Sequence, residues 1–182
     1  MCGISTVYRY QSINEEDIQK LQLMNEEMYY RGPDDQGQWH DEHCGLAQLR
    51  LSIIGLEKGK QPLFNEDKSL VLVCNGEIYN YIELKEDLQK KGHIFNSQSD
   101  SETILHLYEE YAEKCVEYLR GMFAFCIWDT QKKQLFAVRD RIGEKPLYYA
   151  EIPCGVVFSS ELKAILKYYI EKPQINFQSL AE

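Results

Sequence analysis

The sequence predicts an α+β fold in which antiparallel sheets are covered by helices. The main evidence is two pairs of strand-like segments joined by short turns: 122–129 with 134–140, and 147–152 with 156–159. Three segments with helix-start signals separate or precede strand-like runs earlier in the chain. Neighbouring hairpins build antiparallel sheets, and amphipathic helices pack on one face of such sheets, which gives the α+β class.

The first 80 residues are predicted to begin with a strand, a helix and further strands. Residues 3–10 alternate loosely between apolar and polar side chains, as strands do. Asn14 is a favoured N-cap, and the acidic residues 15–17 follow it where the helix dipole stabilises negative charge. Arg-Gly-Pro at 31–33 ends this helix. Apolar runs then predict strands at 36–40, 45–49 and 70–74.

Two more helices are predicted by residues that resemble capping boxes. Asn80 is followed by Glu83, and the helix that they open should extend to about Lys91. Ser99 is followed by Glu102 in the same way. The apolar face of this third helix is expected to consist of Ile104, Leu107, Tyr108 and Tyr111.

Composition favours one domain with a small-molecule function. The 182 residues suffice for one domain with a substantial core but not for a second full domain. The net charge of −9 argues against nucleic-acid or anionic-membrane surfaces, which need clustered Lys and Arg. The sequence has neither the roughly 20-residue apolar run of a membrane span nor the start of a signal peptide. We therefore expect a cytoplasmic protein that binds neither nucleic acid nor membrane.

The six cysteines are scattered and include no C-x-x-C pair, which predicts reduced thiols rather than a disulfide framework. His40, His43 and Cys44 are ligand-type residues in one short turn. No second cluster along the chain completes a tetrahedral shell with them. The sequence therefore predicts no metal site.

Cys2 is the first candidate catalytic residue. Removal of Met1 would leave a cysteine that carries both a thiol and a free α-amine. With reference pKa values of about 8.5 and roughly 7.7 to 8.0, the two groups can share a proton near neutral pH. Nucleophile and base would then lie on one residue, as N-terminal nucleophile catalysis requires.

Asn75-Gly76 follows an apolar strand and has two interpretations. Asn-Gly is a strong signal for a type I′ hairpin turn. However, residues 77–81 lead towards a helix start instead of a returning strand. In that case the Asn75 amide and the Gly76 N–H are free to act as the two donors of an oxyanion hole.

Arg50 and Asp100 are candidate binding residues for a free amino acid. Taken singly, Arg50 reads as a surface charge on an edge strand and Asp100 as a helix-start residue. A free amino acid, however, presents one carboxylate and one ammonium. A forked Arg together with an acid matches both ends of such a ligand.

Ordered motifs along essentially the whole chain resemble the class II glutamine amidotransferase domains of the N-terminal nucleophile hydrolases. Within that family, they are most similar to the glutaminase half of glutamine-hydrolysing asparagine synthetases. The resemblance implies a four-layer αββα sandwich of antiparallel sheets. The matching motifs are Met-Cys-Gly-Ile at 1–4, Arg-Gly-Pro-Asp at 31–34, Arg-Leu-Ser-Ile at 50–53, Gln-Pro at 61–62, Asn-Gly-Glu-Ile-Tyr-Asn at 75–80, Ser-Asp at 99–100, Gly-Met-Phe-Ala-Phe at 121–125, Arg-Asp at 139–140 and Gly-Glu-Lys-Pro-Leu-Tyr-Tyr at 143–149.

The resemblance implies a role for each matched residue. Cys2 would attack the carboxamide of glutamine, with its own amine as base. Asn75 and Gly76 would hold the oxyanion while ammonia leaves, and water would then hydrolyse the thioester. Arg50 would bind the substrate α-carboxylate, and Asp100 would bind its ammonium.

Further residues carry implied supporting roles. Glu77 would assist at the substrate ammonium, Ile53 would line the pocket through its backbone, and Arg31 would steady the N-terminal region. One departure from the family lies at Gln48, where many relatives carry His, and it bears on pocket tuning. No metal ligand and no cofactor are implied for the domain at 1–182; ATP and Mg²⁺ would belong to a C-terminal synthetase domain that this sequence does not contain.

The expected partners are glutamine, an ammonia-accepting synthetase domain in cis or in trans, and a second copy of the chain. We expect the synthetase partner to contact the apolar segment 161–170 and the segment 139–149; the alternative is that 161–170 completes the domain's own core. Three alternative functions stay open: a glutaminase that serves another acceptor, another N-terminal cysteine amidase, and a glutamine-binding module without catalysis.

Overall fold

The structure is a computed structural model and describes residues 1–51, 59–169, 174 and 176–178. These residues form two antiparallel sheets and four α-helices. The strands are β1 (Gly3–Arg9), β2 (Asp35–His40), β3 (Cys44–Arg50), β4 (Leu63–Phe64), β5 (Leu70–Ile78), β6 (Gly121–Asp129), β7 (Gln134–Arg139), β8 (Tyr148–Ile152) and β9 (Gly155–Ser159). The helices are α1 (Glu15–Glu27), α2 (Tyr81–Lys90), α3 (Glu102–Tyr111) and α4 (Leu162–Tyr168), with short 3₁₀ turns at Tyr29–Arg31 and Ala112–Glu117.

The sheets and helices stack in four layers, which confirms the αββα prediction. One sheet has the strand order β2-β3-β1-β9-β8, and the other has the order β4-β5-β6-β7. Three separate apolar clusters hold the layers together. The first lies between α1, α4 and the five-stranded sheet. The second lies between the two sheets, and the third packs α2 and α3 on the four-stranded sheet.

Side-chain alternation along the strands decides which residues lie between the sheets. On β1 and β3, Ile4 and Leu46 are fully buried between the sheets, whereas Val7 and Leu49 face α1 and α4. On β5, Val73 also lies between the sheets. Side chains on a strand alternate between its two faces, so every second residue from these buried ones forms a row on the same face. Followed to the strand end, each such row stays in the layer between the sheets.

The first helix begins as its sequence predicts, but α1 ends at Glu27 and a 3₁₀ turn fills the interval before the predicted stop at 31–33. Asn14 accepts a hydrogen bond from the Asp17 N–H, and the Asp17 carboxylate accepts one from the Asn14 N–H. This reciprocal pair satisfies two backbone donors at the start of α1. Arg9 and Tyr168 also bind the Asp17 carboxylate, so the cap is tied to β1 and α4.

The two other predicted capping boxes are wrong, although both helices exist. Asn80 binds the backbone of Tyr118 and Arg120 instead of the start of α2. At α3, the Ser99 hydroxyl accepts a bond from the Ser101 N–H at 3.3 Å, but the Glu102 carboxylate accepts bonds from the N–H groups of 96 and 97 and does not return to Ser99. In both cases a side chain of the predicted box binds backbone outside the helix start.

Asn75-Gly76 is not a hairpin turn, and the predicted strand at 70–74 is too short. β5 continues through Asn75 and Gly76 to Ile78, and every residue from Leu70 onwards pairs with β6. Pairing with a buried neighbour strand outweighs the local turn preference. The two-residue strand β4 was not predicted. No helix in the described part of the chain is long and apolar enough to cross a membrane.

Candidate active site

The predicted site residues meet in one pocket at the open end of the inter-sheet layer. Cys2, Arg50, Asn75, Gly76, Glu77 and Asp100 all line this pocket. Its volume is about 180 Å³, which is smaller than the roughly 300 Å³ at which drug-sized pockets begin and suits a ligand such as a single amino acid. The prediction for Ile53 falls outside the described residues.

Strand alternation explains why these residues converge. On β3, the buried inter-sheet row runs from Leu46 through Gln48 to Arg50. Gln48 pairs with Ile4 on the neighbouring strand, so the row on β1 leads back to Cys2. On β5, the row of Val73 continues to Asn75. The apolar layer therefore ends in polar side chains from three strands of two sheets.

Cys2 lies at the mouth of the pocket and is only partly buried. Its thiol donates to the Leu51 carbonyl, with 3.7 Å between Sγ and O. Behind it, Arg31 donates to the Cys2 carbonyl at 2.9 Å and forms an ion pair with Glu161. Arg31 is thus buried against the first residues of the chain, opposite the pocket-facing thiol.

A second thiol in the pocket is a much poorer nucleophile. Cys74 also lines the pocket, but it is fully buried between β5 and the helices that cover it. Burial raises the pKa of its thiol well above the ordinary value. Because the thiolate is the reactive form, Cys2 is the cysteine of this pocket that is suited to nucleophilic attack.

The free edge of β5 aims a backbone donor at the pocket. The N–H groups of Cys74 and Ile78 point away from β6 and donate to Gln61 Oε1 and Asp100 Oδ2, each at 2.6 Å. Backbone donors along an antiparallel strand repeat every two residues, so the Gly76 N–H lies between these two on the same edge. That edge opens on the pocket.

Gly76 is the residue that this strand position requires. A Cβ atom there would lie 2.4 Å from the Met122 carbonyl oxygen and 2.6 Å from the Phe123 Cα. Both atoms belong to the backbone of β6 and cannot turn aside. Only glycine allows β5 and β6 to approach this closely while the N–H faces the pocket.

Two amides are buried in the pocket without hydrogen-bond partners. In the described part of the chain, five buried side-chain polar atoms lack a partner, and two of them, Asn75 Nδ2 and Gln48 Nε2, belong to residues that line the pocket. An unsatisfied buried donor costs about 1–3 kcal/mol. Unpaired donors gathered in one pocket are typical of sites that bind a ligand acceptor.

Charges of both signs line the same space. Arg50 and Lys145 bring positive charge, and Asp100 and Glu77 bring negative charge. Arg50 and Asp100 are each about 5% exposed. Burial raises the pKa of Asp100, and the nearby Glu77 carboxylate adds to the effect. A carboxylate whose charged form is destabilised by burial is stabilised when a cation binds next to it.

Sequence reasoning missed Gln61 and Lys145 as pocket residues. Gln61 holds the β5 edge through Cys74, and the backbone N–H of Lys145 donates to Asp140 at 3.1 Å. Both lie within the segments 61–62 and 143–149, two of the motifs on which the resemblance described above is based. The motifs were therefore a usable signal for their location, although no local pattern indicates their contacts.

Comparison with known proteins identifies the family to which the chain is similar. The glutamine amidotransferase domain family matches residues 1–182. Glutamine-hydrolysing asparagine synthetase 1 of Bacillus subtilis is 45% identical over 170 residues, which make up 91% of this chain and 27% of that protein. Asparagine synthetase 3 of the same organism is 36% identical over 184 residues, and these cover 100% of this chain and 30% of that protein. The chain thus spans about a third or less of the length of these relatives.

Solved structures share the fold at lower identity. The glutamine phosphoribosylpyrophosphate amidotransferase of Bacillus subtilis, complexed with ADP and GMP, matches with a TM-score of 0.74 at 20% identity, over 92% of this chain and 43% of that chain. A structure of the allosteric regulatory enzyme of purine biosynthesis gives 0.75 at 21% identity, with the same coverage. These neighbours confirm the N-terminal nucleophile hydrolase fold. The family match over the full length and the relatives above show that this chain belongs to the glutamine amidotransferase domain family.

Proposed function

We propose that this chain hydrolyses glutamine to glutamate and ammonia through a thioester on Cys2. The observation that carries the proposal is the pocket itself. A partly exposed thiol, the unpaired Asn75 amide and the Gly76 N–H line one small cavity with charges of both signs. Each component of thioester chemistry is then present on this chain. The hydrolysis itself needs no cofactor or metal.

The reaction has two halves. The Cys2 sulfur attacks the carboxamide carbon of glutamine, and the α-amine of Cys2 takes the thiol proton, directly or through a water. Asn75 Nδ2 and the Gly76 N–H stabilise the oxyanion of the tetrahedral intermediate. The intermediate collapses, the protonated leaving group departs as ammonia, and a thioester remains. Water then attacks the thioester, releases glutamate and returns the thiol.

The two charged ends of glutamine are assigned to the buried charges. Arg50 binds the α-carboxylate, because a guanidinium matches a carboxylate with two parallel donors. Asp100 binds the α-ammonium with help from Glu77. The raised pKa of Asp100 supports this assignment, since an incoming ammonium relieves the unfavourable burial of its charge. Ile53 stays a proposed backbone contact of the substrate.

Activity requires the removal of Met1. While Met1 is present, the nitrogen of Cys2 is a peptide nitrogen and cannot act as a base. Met1 is 58% exposed, and the small residue that follows it permits removal by an aminopeptidase. Arg31 then keeps the new terminus in place through its bond to the Cys2 carbonyl. A mass spectrum of the purified protein tests this step.

We further propose that the ammonia serves asparagine synthesis from aspartate and ATP in an adjoining synthetase domain. The names of the relatives and their greater length support this. ATP and Mg²⁺ belong to that partner. In α4, Ile165 and Tyr168 complete the core, whereas Leu162 and Leu166 stay exposed and are available for contact with the partner or with a second copy of the chain. A cytoplasmic location is supported by the buried free thiols of Cys44, Cys115 and Cys126.

The decisive experiment is glutamate production by the processed protein without ATP. Wild type should hydrolyse glutamine, and Cys2→Ala should not exceed the buffer blank. Hydrolysis by Cys2→Ala would contradict the mechanism. Glutamine binding without turnover in the processed wild type would instead support a binding module. The acceptor of the ammonia is tested in a longer protein that includes the synthetase domain. If that protein makes asparagine only from added ammonium and not from glutamine, the ammonia released here serves a different acceptor.

A further inference from the structure

A second group of chemically active side chains lies outside the pocket. It consists of Glu66, His93, His106 and Glu109 and is called here the two-histidine cluster. Each member offers one nitrogen or oxygen atom, and these four atoms all lie within 4.8 Å of one another. None of the four residues lines the glutamine pocket. The mechanism proposed above makes no use of them.

Three separate segments of the chain bring the cluster together. Glu66 follows β4, and His106 and Glu109 lie one turn apart on α3. His93 is positioned by the end of α2. Gly92 adopts a φ of 105°, and the N–H groups of Gly92 and His93 return to the carbonyls of Gln89 and Leu88. This glycine-dependent helix end turns His93 towards α3.

The spacing of the ligand atoms fits a tetrahedral ion. From His106 Nδ1, the distance is 2.8 Å to Glu109 Oε2 and 3.7 Å to Glu66 Oε2. From His93 Nδ1, it is 3.4 Å to Glu109 Oε2 and 3.9 Å to Glu66 Oε1. For zinc bonds of about 2.0–2.2 Å, neighbouring ligand atoms of a tetrahedron are about 3.3–3.6 Å apart. Because the four ligand atoms lie within 4.8 Å of one another, side-chain rotations that bring the widest pairs about 1 Å closer would complete the tetrahedron.

Outer contacts hold three of the four ligands in this orientation. Glu109 Oε1 accepts from Asn65 Nδ2 at 2.9 Å, and Glu66 Oε1 accepts from the Ile94 N–H at 2.8 Å. The far nitrogen of His93 lies 3.1 Å from a Glu110 oxygen. Metal-binding histidines commonly use their second nitrogen in this way.

Charge and access also favour a cation. Four carboxylates surround the two imidazoles, and one of them, that of Glu110, is paired with Lys91. The His106 side chain is fully buried, whereas the side chains of Glu66 and Glu109 are 31% and 26% exposed. An ion can therefore enter from solvent through the two carboxylates and meet the histidines behind them.

We propose that the two-histidine cluster binds Zn²⁺ and that the ion fastens α3 to the end of α2 and to the turn after β4. Two imidazoles and two carboxylates suit Zn²⁺, whereas Mg²⁺ and Ca²⁺ prefer oxygen ligands alone. The site is structural, because all four tetrahedral positions are taken by protein atoms. It fixes the helix whose first turn follows Asp100 of the glutamine pocket.

The test is titration of chelator-treated protein with Zn²⁺, followed by calorimetry. Wild type should bind one ion per chain at the highest-affinity site, and Mg²⁺ should not compete. His93→Gln and Glu109→Gln should each weaken binding by at least the 10- to 100-fold that loss of an outer partner costs. His40→Gln is the matched control, because His40 is an exposed histidine outside the cluster, and it should bind like wild type. The second variant is included in case His93→Gln does not fold.

Cobalt distinguishes this site from the thiols of the chain. Co²⁺ bound at the two-histidine cluster should show tetrahedral ligand-field bands without a sulfur-to-metal charge-transfer band. A charge-transfer band would place the metal on cysteine and overturn the proposal. Equal Zn²⁺ affinity in wild type and both cluster variants would overturn it as well, as would the absence of stoichiometric binding. Because hydrolysis of glutamine does not use this ion, none of these outcomes depends on the proposed glutaminase reaction.

Discussion

Replacement of Asn75 by alanine separates catalysis from binding and from folding. The Asn75 side chain is buried, and its Nδ2 donates to no protein acceptor. The fold therefore loses little when Nδ2 is removed, and the melting temperature should change by only a few degrees. The transition state, in contrast, loses one of two oxyanion donors. Removal of such a donor lowers kcat by about 10²–10³, or about 2.7–4 kcal/mol.

The assay is steady-state glutamate production by processed Asn75→Ala. The expected result is a kcat that falls by two to three orders of magnitude while KM stays within a few-fold of wild type. Asn25→Ala is the matched control, because Asn25 is also buried with an unpartnered amide atom but lies on α1, away from the pocket. It should leave kcat and KM unchanged. An effect of Asn75→Ala on KM alone would refute the role of Asn75 as an oxyanion donor.

Three further predictions concern binding, packing and acid stability. Arg50→Ala and Asp100→Ala should each raise KM about 10- to 100-fold with little change in kcat, because each leaves one charged end of glutamine unpaired. Gly76→Ala should lower the free energy of unfolding in denaturant titrations by at least about 2 kcal/mol, because its Cβ would overlap the backbone of β6. Asp140→Asn should destabilise the protein at pH 7, because Asp140 accepts bonds from the N–H groups of 142–145.

The Asp140 effect has a defined pH dependence. Burial acts to raise its pKa, but the surrounding backbone N–H groups outweigh burial and hold the pKa below the usual range. The carboxylate therefore stabilises the fold above its unfolded pKa of about 3.9, and this contribution is lost as pH falls through the lower folded value. The difference in the free energy of unfolding between wild type and Asp140→Asn should therefore become smaller below about pH 4. A difference in unfolding free energy that stays constant from pH 7 to pH 3 would contradict this expectation. An unchanged KM in Arg50→Ala would contradict the binding prediction, and normal stability of Gly76→Ala would contradict the packing prediction.

The sequence predicts the strands and helices of the four layers better than it predicts where these elements begin and end. Strands and helices with a clear apolar period were predicted within a few residues, because burial of one face decides them. The strand end at 74 and the cap at Asn80 were predicted wrongly, because local preferences there compete with partners about 40 residues away or more, on β6 and near Tyr118. Local patterns carry no information about such contacts. A two-residue strand such as β4 is too short to show any period.

The two candidate sites differ in how far sequence alone could indicate them. Most residues of the pocket proposed for glutamine lie within short sequence motifs. They could therefore be predicted by resemblance, even though they come from β3, β5 and the chain start. The two-histidine cluster combines side chains from 66, 93 and the helix α3, and only its pair at i and i+3 on α3, His106 and Glu109, has a ligand-type spacing along the chain. The predicted absence of a metal was drawn from the neighbouring residues 40–44, where the spacing was visible. Only the packing of α3 against α2 reveals the other group.

The pocket also shows how this fold balances stability against activity. The layer between the sheets is apolar and fully packed where it holds the domain together, as at Leu46 and Val73. At its open end lie an unpaired amide at Asn75, on β5, and a buried acid at Asp100, in the turn before α3, whose pKa burial raises. Both features are unfavourable in the free protein, and both would be relieved by the oxyanion and the ammonium of the proposed substrate. This cost is confined to the pocket end of the inter-sheet layer, and the apolar residues in the rest of the layer stay fully buried.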